Sequence, residues 1–395
     1  MIELQRKVKI NLDFVRSNSR IIFPLYTEEK KKVIEERVVL TSRMIEKIKK
    51  DHGSILYTHI PLDYGVIPRY RLEKAVNKSK DIYDEILTSR KLSKNTYNSA
   101  EKIIEGIISD LDTSKIETIN LLKCTGNNDE YLYQHSVNVG IIAAVFARML
   151  GTYTPDEIKF LALGAYLIDI GLVQIDKKLL DKNGKYSPEE MQKIKQHPQL
   201  GYDILRNIEG INPIVLQMML FHHEKINSNG YYQLPFDRLP HPPKIASICD
   251  IFDALTSRRP FREAMSATRA LKCIVNSINC RFDYQLVSDF VNHLGPLLNN
   301  SQSFYSRHDF CELNTRELAL ISDFSLKDYM KPKVMVFCRF KKKNDEIAAH
   351  FYDNPIEVDL EEDRSRLMVK ILDNHLQIRA IKSRLIDKGM MPQIH

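Results

Sequence analysis

Six histidine and aspartate residues in the middle of the chain have side chains that can bind a metal ion. They are His135, Asp169, His197, His222, His223 and Asp250. A single core histidine is usually satisfied by one hydrogen bond. However, the adjacent imidazoles of His222 and His223, together with two aspartates on separate predicted helices, indicate that these side chains converge. Imidazole and carboxylate ligands together suit Mn, Fe or Zn better than Ca or Mg.

Asp169 is the candidate for a carboxylate that bridges two metal ions. Two ions roughly 3.5–4 Å apart need a bridging ligand, and such a pair supports in-line attack on a phosphodiester. Asp169 lies in "LIDIGLVQID", residues 167–176, between helical patterns, and is followed by the turn-forming Ile170-Gly171. Ile168 precedes it, where a metal site of this type would have a histidine, and isoleucine has no lone pair to donate.

The elements that must position these residues are predicted to be helices. From residue 96 to 298 the apolar period is helical almost throughout, with Ile103, Ile107 and Leu111 on one face. Ser187 and Glu190 have the spacing of a capping box at a helix start. The prolines of "PPKIASICDIFDALTS" stand where the first turn of a helix tolerates them. This region therefore predicts an all-helical core.

Both ends of the chain have a different pattern. Residues 1–60 predict a small β-rich domain with one helix that ends at Gly53. Residues 61–95 predict a basic linker with a short helix, and residues 299–395 predict an α+β extension with a final charged helix. We expect a mainly α fold, with an all-helical core at 96–298 and small α+β segments at the termini.

Composition restricts the class of protein. Of 395 residues, 43% are hydrophobic, yet no run of eighteen apolar residues exists, so no membrane span is expected. The six cysteines form no CxxC pair and the start of the chain lacks a secretory core, which favours a cytoplasmic protein. The net charge of +7 favours anionic partners only weakly, and no DNA binding is expected.

The motifs around these residues resemble those of the HD-GYP subgroup of the HD-domain phosphohydrolases, bacterial enzymes that hydrolyse cyclic di-GMP. The resemblance covers roughly residues 125–298 and rests on four stretches: "YQHSVNVG", "LIDIGLVQIDKKLLDKNGKYSPEEMQKIKQHPQLGYDIL", "HHEKINSNGYYQLP" and "KIASICDIFDALTSRRPFREAMS". It implies an HD-type helical core, a role in cyclic di-GMP signalling, and cyclic di-GMP or a related nucleotide as the ligand.

The resemblance also implies roles for individual residues. His135, Asp169, His197, His222, His223 and Asp250 stand where the family has metal ligands, with Asp169 as the central catalytic carboxylate. Gly230 and Tyr231 stand at the GY of the GYP signature, where the tyrosine would line the nucleotide pocket. Arg259 and Arg262 match basic positions that meet the phosphate and guanine of the substrate. The expected metal is a divalent transition ion, Fe or Mn.

The sequence departs from the family pattern at several positions. Ile168 replaces the histidine of the HD pair, and Leu172 replaces a lysine expected at the scissile phosphate. Tyr131 stands where some members have a glutamate ligand. Tyr232 replaces the proline of GYP, and Asn227-Ser228 replace Asp-Gly. The resemblance implies one metal position held by Asp169 with His197, His222 and His223, and a second held by His135, Asp250 and the bridging Asp169. We expect the first to be retained and the second to be weakened, unless a water, Tyr131 or a shifted side chain completes it.

Three functions are compatible with this pattern. The first is a metal-dependent cyclic di-GMP phosphodiesterase with impaired or absent hydrolysis. The second is a module without catalysis that senses a nucleotide or docks protein partners through the Gly230-Tyr231 loop. The third is a scaffold, which has no physical need for six ligand-type residues and is therefore disfavoured. Bound metal and product formation distinguish the first two; the oligomeric state is not readable from the sequence.

Overall fold

The computed structural model describes the chain except residues 1–4, 16, 18, 22, 62–65, 114–120, 122–127, 259–261, 299–302, 326, 344–345 and 391–395. The strands are β1 Gln5–Asn11, β2 Ser19–Arg20, β3 Leu25–Tyr26, β4 Lys32–Ile34, β5 Val39–Leu40, β6 Ile55–Pro61, β7 Phe310–Leu313, β8 Glu317–Asp323, β9 Lys333–Lys343, β10 Glu346–Asp359 and β11 Met368–Ile371. The helices are α1 Ser42–His52, α2 Arg69–Ser89, α3 Lys94–Thr113, α4 Asn128–Leu150, α5 Pro155–Leu167, α6 Lys177–Leu180, α7 Pro188–Ile194, α8 His197–Leu205, α9 Pro213–Phe221, α10 His241–Thr256, α11 Ala267–Val275, α12 Tyr284–Leu298 and α13 His375–Asp387.

These elements form two compact units. One comprises residues 63–270 and 279–298, and the other comprises residues 1–62, 271–278 and 299–395. The first is helical, and the second contains the antiparallel sheets. The predicted mainly α fold with small α+β segments at both ends is confirmed. No helix in the described part of the chain has both the length and the apolar character needed to cross a membrane.

The helical unit is arranged around α4, which packs against α2, α5, α10 and α12. The side chains from Ile141 to Ala147 on this helix are all buried, because neighbouring helices cover it on several sides. A helix that is apolar on every side belongs in the centre of a core. This position fixes His135, near the start of α4, at the point where the other helices meet it.

Local signals set where several of these helices begin. At α5, Pro155 occupies the first turn, and Thr154 and Glu157 form a capping box. At α7, Ser187 accepts from the Glu190 amide while Glu190 reaches back to the Ser187 amide, which confirms the predicted capping box. Both boxes satisfy amides that a helix start leaves without intrahelical partners.

Residues 61–95, expected to be a linker, contain the 21-residue helix α2. Leu72, Ala75 and Ile82 are buried on one face of it, and the Tyr166 hydroxyl of α5 donates to the Ala75 carbonyl at 2.8 Å. Three of the basic residues of this helix, Arg69, Lys74 and Lys80, are exposed, as expected for the polar side of an amphipathic helix. This helix is therefore part of the compact helical unit.

The second unit holds two main antiparallel sheets. In the amino-terminal one, with strand order β1-β6-β3-β4, β1 pairs with β6 along its whole length. The helix α1 starts after Thr41, whose side chain accepts from the Met44 amide, and ends at Gly53 as predicted, where a φ of +79° suits glycine. In the carboxyl-terminal sheet the strand order is β10-β9-β8-β7-β11.

A buried ion pair joins three parts of the carboxyl-terminal sheet. Glu317, at the start of β8, is 2% exposed and accepts two hydrogen bonds from the Arg366 guanidinium, at 2.7 and 3.0 Å. The Tyr352 hydroxyl of β10 donates to the same carboxylate at 2.6 Å. Burial raises the pKa of Glu317, but the hydrogen bonds from Arg366, Thr315 and Tyr352 outweigh it and lower that pKa from 4.5 to about 2.

We expect Glu317→Gln to reduce the free energy of unfolding at pH 7 by about 3 kcal/mol, because Arg366 loses a buried charged partner. Since the folded-state pKa is lowered, this stabilisation is present above pH 4.5 and is lost as the pH falls towards 2. Urea unfolding at several pH values measures it, with the exposed Glu362→Gln as control. A difference from wild type that stays constant from pH 7 to pH 3 would contradict the assignment.

Candidate metal centre

Asp169 is placed by a tight turn at the end of α5. The helix ends at Leu167, Ile168 caps it, and Asp169 begins a 3-10 turn over Ile170–Gln174. That turn lies directly against the start of α8, because Gly171 has no side chain: a Cβ there would overlap the His197 carbonyl. Glycine at 171 therefore allows the approach that brings Asp169 next to His197.

The two carboxylate oxygens of Asp169 face different imidazoles. Oδ1 lies 3.4 Å from His197 Nε2, and Oδ2 lies 3.5 Å from His135 Nε2. The His135 Nε2 atom is also 3.2 Å from Asp250 Oδ1. A carboxylate with one oxygen toward each of two ligand groups has the geometry of a bridging ligand.

The structure brings all six predicted ligand-type residues together, in two groups. The ligand atoms within each group lie within 4.8 Å of one another; the groups are His135 with Asp169 and Asp250, and His197 with His222 and His223. The first group joins α4, α10 and the turn after α5, and the second joins α8 to the end of α9. This His/Asp cluster could bind a metal ion.

Two of the imidazoles have their Nδ1 atom held by a backbone carbonyl oxygen. His197 Nδ1 lies 2.9 Å from the Ile194 carbonyl, and His222 Nδ1 lies 3.0 Å from that of Met219. A carbonyl oxygen only accepts, so both Nδ1 atoms carry the hydrogen. In the neutral rings the two Nε2 atoms are then bare, and they face each other at 3.2 Å. Two lone pairs at this distance repel unless a cation lies beside them.

The electrostatics of the cluster follow from its burial and its carboxylates. Burial lowers the pKa of His197 to about 4, although the Asp169 charge opposes the shift. Burial, together with the charges of His222 and His197, lowers the pKa of His223 well below its usual value. Burial also lowers the pKa of His135, but Tyr131 and the carboxylates of Asp169, Asp250 and Asp253 raise it well above its usual value.

Asp253 is a site residue that the sequence interpretation did not single out. It is 1% exposed and accepts from His135 Nδ1 at 2.7 Å, from Asn138 Nδ2 at 2.8 Å and from Ser257 Oγ at 3.1 Å. These contacts fix the His135 ring with Nε2 toward Asp169 and Asp250. Such a carboxylate behind a histidine is the usual support of a metal ligand, and its position three residues after Asp250 was the available signal.

The loop that carries Gly230 and Tyr231 lies beside the second group. The Tyr231 ring is centred 4.3 Å from that of His223 and 6.2 Å from that of His197. Burial raises the pKa of the Tyr231 hydroxyl to about 12, so it stays protonated near neutral pH. Tyr231 therefore forms a wall next to the imidazoles.

Glu224, also not singled out from sequence, anchors this loop. It is 3% exposed and accepts from the backbone amides of Tyr232 at 2.8 Å and Leu234 at 2.7 Å. Gly230 lies directly against its carboxylate, where a Cβ would overlap both oxygens. Glycine at 230 is thus needed for the backbone to approach the Glu224 carboxylate. The sequence signal for Glu224 was its position directly after His222 and His223.

The remaining residues singled out from the sequence have different surroundings. The Arg262 guanidinium donates to the Ala254 carbonyl of α10, so it is tied to the backbone of the helix that carries Asp250. Arg259 lies outside the described residues. Tyr131 stacks on His135 with ring centres 5.3 Å apart. Ile168 is 1% exposed and Leu172 is half-buried. The substrate and ligand roles expected from sequence stay predictions.

Comparison with known proteins agrees with this geometry. Residues 122–286 match the family model described as HD domain. A cyclic di-GMP phosphodiesterase of Pseudomonas aeruginosa is 28% identical over 217 residues, covering 55% of this chain and 50% of that protein. The cyclic di-GMP phosphodiesterase response regulator RpfG of Xanthomonas campestris is 31% identical over 148 residues, covering 37% of this chain and 39% of that protein.

Two further similarities extend this set. A 3'3'-cGAMP-specific phosphodiesterase of Vibrio cholerae is 30% identical, covering 39% of this chain and 33% of that protein. Among solved structures, an HDG"Y"P protein from Bdellovibrio bacteriovorus is 17% identical, with a TM-score of 0.46, covering 73% of this chain and all of that one. The chain spans half or less of the length of the three curated relatives.

We expect Glu224→Gln to lower the free energy of unfolding by about 1–3 kcal/mol, because an amide nitrogen then faces a backbone N–H that needs an acceptor. Thermal unfolding measures the loss, and limited proteolysis shows whether residues 228–234 become accessible. The exposed Glu209→Gln, whose partner is Lys94, should unfold near the wild-type temperature. If Glu224→Gln also unfolds there, the buried carboxylate does not hold the loop.

Proposed function

We propose that this chain, which belongs to the HD domain family through residues 122–286, is a metal-dependent phosphodiesterase of cyclic di-GMP or a related cyclic dinucleotide, with weakened hydrolysis. The proposal is supported by the names of the curated relatives, which are cyclic di-GMP or 3'3'-cGAMP phosphodiesterases. In this proposal the His/Asp cluster is the centre at which the phosphodiester is held.

The observation that carries the proposal is the pair of bare imidazole nitrogens. His197 and His222 each donate Nδ1–H to a carbonyl, and their Nε2 atoms face each other at 3.2 Å inside the core. A proton between the rings would serve as the cation only under acid conditions, since burial holds the pKa of His197 near 4. A transition-metal ion near neutral pH satisfies both lone pairs.

The donor set indicates which metal the cluster takes. Four imidazoles and two aspartates suit Fe or Mn. Ca and Mg prefer oxygen ligands, so the four imidazoles make them less suitable for this site. Bound there, the metal ions supply positive charge to the phosphodiester and to the attacking water. Asp169 faces both groups and holds them in register, while Tyr231 covers the side next to His223.

Weakened hydrolysis is proposed from two apolar residues beside Asp169. Ile168 is buried and offers no ligand to the group of His135, Asp169 and Asp250, which then has one imidazole only. Leu172, in the turn after Asp169, places no positive charge near the phosphate. Loss of one such contact in the transition state costs on the order of 3–4 kcal/mol, a few hundred-fold in rate. The group of His197, His222 and His223 has all three of its imidazoles.

The same two residues support a second candidate function. A centre that binds one metal ion and a cyclic dinucleotide without hydrolysing it would act as a nucleotide-sensing module, or would dock a protein partner through the loop of Gly230 and Tyr231. Buried Ile168 favours this candidate because an isoleucine cannot be converted into a ligand by a change of rotamer. Product formation decides between the two.

The direct test is elemental analysis of the purified chain together with a cyclic di-GMP turnover assay. We expect about one tightly held Fe or Mn ion per chain, slow turnover, and loss of the metal in Asp169→Asn. Chelation should lower the stability, because a ligand at 100 times its dissociation constant adds about 2.7 kcal/mol. The exposed Asp237→Asn is the matched control. Two tightly held ions would show that the second group is completed, and none would reject the metal centre.

A repaired site provides a further prediction. We expect Ile168→His combined with Leu172→Lys to increase metal content and turnover together, since the histidine adds a ligand and the lysine adds positive charge at the phosphate. Each change alone should have little effect, because groups that act as a unit are strongly non-additive. Without metal the double variant should be about 1–3 kcal/mol less stable, because its new imidazole is buried without a partner.

The control for this repair is Ile168→Val with Leu172→Met, which changes the same two positions and adds no donor. Metal content by elemental analysis and product formation by chromatography are measured for both double variants. If the repaired chain binds two metal ions, stays folded and leaves cyclic di-GMP intact, the two residues are not the cause of weak hydrolysis. The sensing module would then be the better account.

A further inference from the structure

A surface cavity of about 310 Å³ opens beside the second group of imidazoles. Its volume is at the lower end of the range of small-molecule sites, which suits part of a ligand. Tyr231 lines it and also packs against His223, with ring centres 4.3 Å apart. A molecule in this cavity would therefore lie next to the proposed metal centre.

The described lining of this cavity is rich in carboxamides. Four glutamines contribute to it: Gln192, Gln196, Gln199 and Gln233. Within the part of the chain that the structure describes, no protein group hydrogen-bonds the side chains of Gln192, Gln196 or Gln233. Gln199 makes only long contacts, at 3.4 Å to the Tyr232 hydroxyl and 3.3 Å to Asp203. The carboxamides are thus available to a ligand.

The loop presents Gln233 at a conformational cost. Its φ is +56°, in the left-handed region that residues other than glycine rarely adopt. Glu224 holds this conformation by accepting from the amides on either side, those of Tyr232 and Leu234. Backbone strain that a buried group maintains is typical of ligand-binding positions. The loop therefore has a fixed shape with a carboxamide at the cavity.

The aromatic residues supply a surface on which a flat ring can stack. Tyr232 lines the cavity and is 41% exposed, with its ring edge-on to Phe221 at 5.9 Å. Lys195, the one cation in the described lining, lies over the Tyr231 ring, with Nζ 5.4 Å from its centre. Stacking on tyrosine tolerates any base, so discrimination between bases falls to the glutamines.

The chemistry of glutamine favours one purine. A glutamine carboxamide pairs with N6 and N7 of adenine, donating one hydrogen bond and accepting the other, whereas guanine O6 and N7 call for arginine or lysine. Four carboxamides and one ammonium line this cavity. We propose that it binds one base of the cyclic dinucleotide and that adenine is the favoured base. This inference rests on the proposed function and adds a base preference to it.

The test is isothermal titration calorimetry of the metal-loaded full chain with two ligands, 3'3'-cGAMP, which has one adenine, and cyclic di-GMP, which has none. Both are used as slowly hydrolysed phosphorothioate analogues. We expect 3'3'-cGAMP to bind roughly tenfold more tightly, the difference typical of one paired base contact. Equal affinities, tighter binding of cyclic di-GMP, or binding of neither would overturn the proposal.

The matched variants are Gln233→Gly and Gln285→Ala. Glycine adopts a positive φ without strain, so Gln233→Gly removes the carboxamide and keeps the loop; we expect it to lose roughly tenfold in affinity for 3'3'-cGAMP and less for cyclic di-GMP. Gln285 is exposed on α12, outside the cavity, and its variant should bind as wild type. An unchanged affinity of Gln233→Gly for 3'3'-cGAMP would overturn the base assignment.

Metal content, measured on every sample, separates the two proposals. If the wild-type chain holds metal and turns over substrate, but Gln233→Gly binds 3'3'-cGAMP as tightly as wild type, only the base-pocket proposal is contradicted. A chain without metal or turnover whose affinity for 3'3'-cGAMP still depends on Gln233 supports the pocket and contradicts the phosphodiesterase proposal.

Discussion

The arrangement of the helical unit depends on the close approach of the 3-10 turn at Ile170–Gln174 to the first turn of α8. Gly171 makes it possible, because any side chain there would overlap the His197 carbonyl. As a result one oxygen of Asp169 reaches His197 and the other reaches His135. His135 belongs to α4 and His197 to α8, so a single carboxylate connects helices that are not adjacent in sequence. A shift of this turn by one residue would separate the two groups.

The orientation of the imidazoles depends on groups behind them. His197 and His222 are turned by backbone carbonyls, and His135 is turned by Asp253, which is itself held by Asn138 and Ser257. Each of these contacts uses Nδ1 and leaves Nε2 toward the centre. The imidazoles are therefore oriented by two backbone carbonyls, which carry no titratable proton, and by the carboxylate of Asp253, which is almost fully buried. The same principle applies in the loop, where Glu224 fixes the backbone that carries Tyr231.

Sequence reasoning succeeded where the signal is local. Thr41 and Gly53 bound α1, and Ser187 with Glu190 starts α7, because caps act over three or four residues. The six ligand-type residues were recognisable by their chemical type and by the motifs around them. Their arrangement in two groups around Asp169 was expected from the resemblance. The separate orientation of the two oxygens of Asp169 depends on how the helices pack, which the sequence did not give.

It failed where the signal is spread over distant residues. Asp253 supports His135 across 118 positions of sequence, and its spacing of three residues from Asp250 was the only local signal of that contact. Likewise, the many lysines and arginines of α2 favoured a linker, although Leu72 and Ala75 lie on an apolar face of a long helix.

The buried position of Ile168 shows how the end of α5 is stabilised without a metal ligand at this residue. An isoleucine at the end of α5 contributes apolar burial, worth about 1.5–3 kcal/mol for a side chain of this size. A histidine in its place would need a metal ion or another partner to offset its desolvation. With isoleucine at position 168, the stability of this helix end does not depend on a metal ion. The imidazoles of His197 and His222 have no such alternative, since their bare nitrogens still face each other in the core. In the proposed centre, the group of His197, His222 and His223 is therefore the one whose buried lone pairs a cation would offset.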